Sequence, residues 1–143
     1  MGTVPTSVKL ISIAGIAPIL IGAIFSIIPL DLNPSIINFI KMNSLIYAGI
    51  ILSFLGGCLF VLECQQAQVM TKGILLSILP SIWAMVSLML PIAAFLLAIG
   101  FLFVLERERV LFRIYSLPSW WLKLRFPMTG IVLILLMVVG LSG

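Results

Sequence analysis

The amino-acid sequence predicts an all-α membrane protein, a bundle of five transmembrane helices with the N-terminus in the cytoplasm and the C-terminus outside. Three observations lead there. Of 143 residues, 63% are hydrophobic and only 8% charged, against about 45–50% and about 25% in soluble domains. A soluble fold of this size has too little interior to hide so much apolar side chain, so lipid is the expected solvent. The apolar stretches are long enough to cross a hydrocarbon core of about 30 Å. Finally, with five crossings drawn, the basic residues gather on one side.

A single transmembrane domain is expected, with spans over about residues 8–29, 34–65, 73–90, 91–113 and 118–142. The first ends in a turn marked by Pro29, Asp31, Asn33 and Pro34. Asn33 suits an N-cap and Pro34 the first helical position after it. The second stretch is about 45 Å long as a helix, so its polar start, with Asn38, Lys41 and Asn43, is expected to protrude or lie at the interface. Gln65, Gln66, Gln68, Thr71 and Lys72 read as a short polar loop. Residues 73–105 would reach about 50 Å as one helix, and proline disfavours helical geometry in the residue before it. A tight hairpin at Leu90–Pro91 is therefore expected. The fourth span runs through Leu105 into the charged stretch ending at Arg113. Ser116, Leu117 and Pro118 break the chain before the fifth.

With five spans, Lys9, Lys72, Arg107, Arg109, Arg113, Lys123 and Arg125 share one side, and Lys41 alone takes the other. The positive-inside rule puts the seven in the cytoplasm. Four spans would lose this parity.

Composition also excludes. The formal charge of +4 is explained by loop residues that set orientation, and a nucleic-acid surface would need solvated cations with stacking aromatics. No nucleic-acid partner is expected. The chain has no histidine, which removes histidine-ligated haem or zinc, a Ser–His–Asp triad and a histidine proton relay. Cys58 and Cys64 lie about 120° apart on a helix and read as small apolar fillers. No cofactor is expected. Residues 1–9 make no convincing signal peptide, so the first helix is expected to stay.

Several constellations remain. Gly49, Ser53 and Gly57 recur every four residues and are expected to form a close-packing face, within the bundle or between copies. Pro18 and Pro80 each free a backbone carbonyl, on Ala14 and Leu76. Ser77 and Ser81 beside Pro80 form either a kink or a small solute site. Arg107, Arg109 and Arg113 follow Glu106 and Glu108. Glu106–Arg109 pairs at i,i+3, and the arginines read as a solvated helical extension or as a contact for anionic lipid or an acidic partner. Trp120, Trp121, Lys123 and Arg125 read as interface anchors, with rings at head-group depth and snorkelling cations. Apart from Lys41, near one end of its helix, no Asp, Glu, Lys or Arg is expected within a span. Glu63, at the cytoplasmic end of the second span, is the nearest carboxylate, which leaves proton coupling or catalysis little to work with.

Three segments carry a family resemblance: Tyr47-Ala-Gly-Ile-Ile-Leu-Ser-Phe-Leu-Gly-Gly57, Ser77-Ile-Leu-Pro-Ser81 and Leu117-Pro-Ser-Trp-Trp-Leu-Lys-Leu-Arg125. From about residue 10 to 140 the chain resembles the small bacterial membrane proteins of unknown function related to the mitochondrial "transmembrane protein 69". The resemblance implies a five-helix inner-membrane fold and transfers no catalytic residues.

The expected role is thus a non-catalytic integral membrane protein, an assembly partner or accessory subunit of a membrane complex. The alternative is a small carrier or channel for a neutral or apolar solute. Expected partners are the lipid bilayer and other membrane subunits or further copies of this chain. The bacterial inner (cytoplasmic) membrane is the expected location, since no basic, amphipathic presequence is present.

Overall fold

The computed structural model describes residues 2–28, 31–66, 71–115 and 117–142; the expectations at Pro29, Gln68 and Ser116 lie outside them. Its described residues form six helices and no strands: α1 (Thr6–Ala14), α2 (Ala17–Ile27), α3 (Pro34–Cys64), α4 (Thr71–Leu88), α5 (Ala93–Ile114) and α6 (Trp121–Leu141).

The first expected span is two helices in one rod. Pro18 lies in the first turn of α2, and the helix is interrupted just before it, at Gly15–Ile16. A proline ring clashes with the carbonyl four residues earlier. The chain resolves the clash at Ala14 by tightening, with the Ile16 amide donating to the Ile13 carbonyl at 3.1 Å. Helix α3 starts on a made cap, in which Asn33 Oδ1 accepts from the Ser35 amide at 2.9 Å. Its 31 residues extend about 46 Å.

Thr71 and Lys72 belong to α4 rather than to the preceding loop, and Ser119 and Trp120 form a turn, so α6 starts three residues later than expected, at Trp121. The hairpin between α4 and α5 is the connection over 89–92, held by the Leu90 amide on the Ser87 carbonyl at 3.1 Å. Trp83 Nε1 donates to the Leu96 carbonyl at 2.6 Å and ties its two arms together.

Consecutive rods run antiparallel, so α3 and α5 lie parallel to each other. Helix α3 is the central one, with α4, α2 and α5 packed around it, and α6 closes the bundle against α5 and α2. Leu52, Leu97, Val104 and Leu136 are wholly buried at its centre. Outward, large apolar side chains stand in the open, among them Phe39, Met89 and Ile134 at 69%, 80% and 66% exposure. In water such a surface would drive aggregation; hydrocarbon is its natural solvent, and this is a membrane protein. Four rods, Thr6–Ile27, α3, α4 and α6, are long and apolar enough to cross a bilayer. Helix α5 is not among them, because Glu106, Arg107, Glu108 and Arg109 occupy its second half.

Candidate functional site

The expected small-residue face on α3 is shifted by one residue. Gly49 receives Leu88 of α4, whose Cδ1 would lie 3.0 Å from an added Cβ. The next close approach is at Gly56, where an added Cβ would sit 2.8 Å from the Ser77 carbonyl oxygen and 3.2 Å from Pro80. Gly57 has nothing within 4 Å of that position, and Ser53 is half-buried. Helical phase explains the correction. A step of four residues drifts by about 40°, so Gly57 has turned about 80° from Gly49, whereas Gly56 has turned only about 20°. The Gly49–Ser53–Gly57 stripe spirals off the seam.

The serines do not face the cleft beside Pro80. Ser77 is buried, and its hydroxyl donates to the Ile74 carbonyl at 2.6 Å rather than facing a cavity. Ser81 is half-buried. A cleft of about 520 Å³ does adjoin Pro80, but Leu79, Ile82, Trp83, Gly100 and Phe103 line it, and neither serine does.

The polar chemistry sits at the basic end of the bundle. Glu63, on the last turn of α3, pairs with Arg107 of α5 at 2.9 Å, and their side chains are 4% and 21% exposed. Tyr115 donates its hydroxyl to the same carboxylate at 3.4 Å. Burial, and then the neighbouring Glu63 charge, hold the Tyr115 phenol above its ordinary pKa. The carboxylate rests directly on Gly73 of α4, whose missing side chain provides the space. A second pair joins α5 to α6: Arg125 Nε donates to both oxygens of Glu108, at 2.9 and 2.7 Å. Here the side chains are 16% and 1% exposed. Ion pairs this dry hold helices together because neither partner can be left alone in the interior.

This tier revises two expectations. Arg107 is committed to Glu63, so it is not free to contact anionic lipid or an acidic partner alongside Arg109 and Arg113. Arg109 does pair with Glu106 at i,i+3, 2.9 Å apart on the surface, and its guanidinium lies 6.0 Å from the Phe126 ring centre. Arg113 is exposed. Arg125 does not snorkel as an interface anchor; it turns inward because Glu108 is there to neutralise it. Trp121 also turns inward, with its Nε1 buried. Trp120 stacks obliquely on it, ring centres 5.9 Å apart, and Lys123 stays exposed.

The chain belongs to the family described as "Protein of unknown function (DUF3429)". That family matches residues 4–141, a stretch that takes in both ion pairs and the α3–α4 seam. No curated protein and no solved structure matches the chain.

The burial of the Glu63 and Glu108 carboxylates does not follow from charge pattern, but helical phase signals it. On α5, Leu97, Phe101, Val104 and Leu111 are buried at spacings of three, four and seven, and Glu108 falls in the same series. Glu63 similarly continues the series Leu52, Leu55, Leu59 on α3. A carboxylate in phase with a buried stripe is a carboxylate that needs a partner.

Proposed function

We propose that the protein is a non-catalytic subunit of a membrane assembly, an accessory or assembly partner of other membrane subunits or of its own copies. One observation carries this reading. The two deeply buried carboxylates are each closed onto an arginine of the same chain, linking α3 to α5 and α5 to α6. Catalysis and ion coupling need ionisable groups presented to a substrate; these are spent on holding the bundle. Extraction from the native membrane in mild detergent followed by native mass spectrometry tests it. A stoichiometric second subunit or a homo-oligomer is expected, and a lone monomer overturns it. The apolar cleft at α4–α5 favours a second reading, a carrier of apolar solute. Filling that cleft with Val86→Trp would then stop flux into liposomes.

We further propose five crossings, with residues 91–113 as the fourth, in a bacterial inner membrane, and a relation to transmembrane protein 69 through the three sequence motifs. The two ends of the bundle support this topology. Glu63, Arg107 and Arg125 sit at one end, where the Gly2 amide donates to Ser119 Oγ at 3.2 Å. At the other, Lys41 Nζ donates to the Ser142 carbonyl at 2.8 Å. Exposed Cys64, next to Glu63, is expected to react with an impermeant maleimide from the cytoplasmic face only. Labelling from outside would reverse the orientation.

A further inference from the structure

A second cavity, about 420 Å³, lies between the broken first rod, α3, α5 and α6. It falls within the roughly 300–1,000 Å³ typical of small-molecule sites. Helix α1 flanks it with Val8, Ile11 and Ser12 yet buries none of its own residues, and the interruption at Gly15–Ile16 borders the same space. Ile11 of α1 and Phe54 of α3, both lining the cavity, are 73% and 64% exposed. The rim is therefore apolar and faces surrounding hydrocarbon, which admits a chain from the bilayer and disfavours a water-borne solute.

The one cation lining this cavity is Arg125. A guanidinium has five N–H donors and no acceptor. Among the described residues only the Nε–H is engaged, shared between the Glu108 oxygens. The two terminal amino groups have four further N–H bonds to satisfy, and the side chain retains 16% exposure. An occupant must therefore offer acceptor oxygens at the Arg125 end and hydrocarbon along the rest. Charge favours an anion, since seven basic residues on this side of the chain face only Glu63, Glu106 and Glu108. Arginine binds phosphate oxygens through paired N–H donors.

We propose that this cavity holds one acyl chain of an anionic phospholipid, with phosphate oxygens accepting from the terminal amino groups of Arg125. The second chain stays in the bilayer beyond the Ile11–Phe54 rim. The site does not depend on the protein's role as a subunit, only on its place in a membrane.

Delipidated protein in detergent is titrated with phosphatidylglycerol, phosphatidylcholine and palmitate, and binding is read by native mass spectrometry. One phosphatidylglycerol per chain is expected, about tenfold tighter than phosphatidylcholine, whose phosphate offers the same oxygens but whose quaternary ammonium brings a positive charge to an already basic end. Palmitate should bind more weakly than phosphatidylglycerol. Ser12→Trp, which fills the cavity from the loosely packed α1, should abolish the bound lipid. The double variant Glu108→Gln with Arg125→Gln keeps a neutral pair and should bind both phospholipids equally. Equal binding of the two phospholipids by the native protein overturns the proposal, as does palmitate matching phosphatidylglycerol. Unchanged binding in Ser12→Trp overturns it too, and that variant decides alone if the double variant does not fold.

Discussion

Replacing Arg125 by methionine tests the inward ion pair most directly. Methionine keeps most of the length and packing but leaves the Glu108 carboxylate, 1% exposed, facing nothing that can neutralise it. Removing one partner of a buried pair costs about 3–5 kcal/mol, roughly a hundred-fold or more in the folding equilibrium. The surface pair is an internal control. Arg109 and Glu106 are 41% and 61% exposed, and breaking such a pair costs about 0–1 kcal/mol. Unfolding in mixed micelles, titrated with a denaturing detergent and followed by tryptophan emission, measures both. Glu108→Gln combined with Arg125→Met should recover most of the loss, because the orphaned charge is then gone. The reasoning fails if Arg125→Met costs no more than Glu106→Ala, or if the double variant is as unstable as the two single losses added.

Three further outcomes follow from the packing. Gly56→Leu should destabilise by about 1–3 kcal/mol or more through overpacking against the Ser77 carbonyl and Pro80. Gly57→Leu should stay within about 0.5 kcal/mol in the isolated chain, and thermal melts of the two variants side by side check the assigned phase. Gly73→Val should push the Glu63 carboxylate off α4; a double-mutant cycle on Glu63 and Arg107 in that background should then return a coupling below about 0.5 kcal/mol. Trp83→Phe removes the donor to the Leu96 carbonyl and should cost about 0.5–1.5 kcal/mol, with faster amide exchange in the α4–α5 hairpin as the readout.

The ion-pair tier also explains how a basic end can be part of a compact bundle. Orientation in the membrane requires cations at one face, and cations on α5 and α6 repel where these helices converge. Placing Glu63 and Glu108 on the buried stripes turns two of those arginines into interhelical ties, while Arg113 and Lys123 remain exposed at the surface.

What could be read from the sequence alone was whatever depends on neighbours along the chain. Composition decides the solvent, because no arrangement of so many apolar residues could be kept from water. Asn33 and Pro34 start α3, Pro18 interrupts the first rod, and Leu90–Pro91 turns back on itself, all through backbone chemistry confined to a few residues. The tertiary structure alone decided which side of each helix meets which other. Gly56 rather than Gly57 meets α4 because a one-residue step rotates the contact by about 100°. Arg125 lies inside rather than at the interface because a carboxylate 17 residues away happens to face it. Glu63 finds Arg107 at a separation of 44 residues. Such pairings are set by how whole helices pack, and local spacing carries no record of the partner.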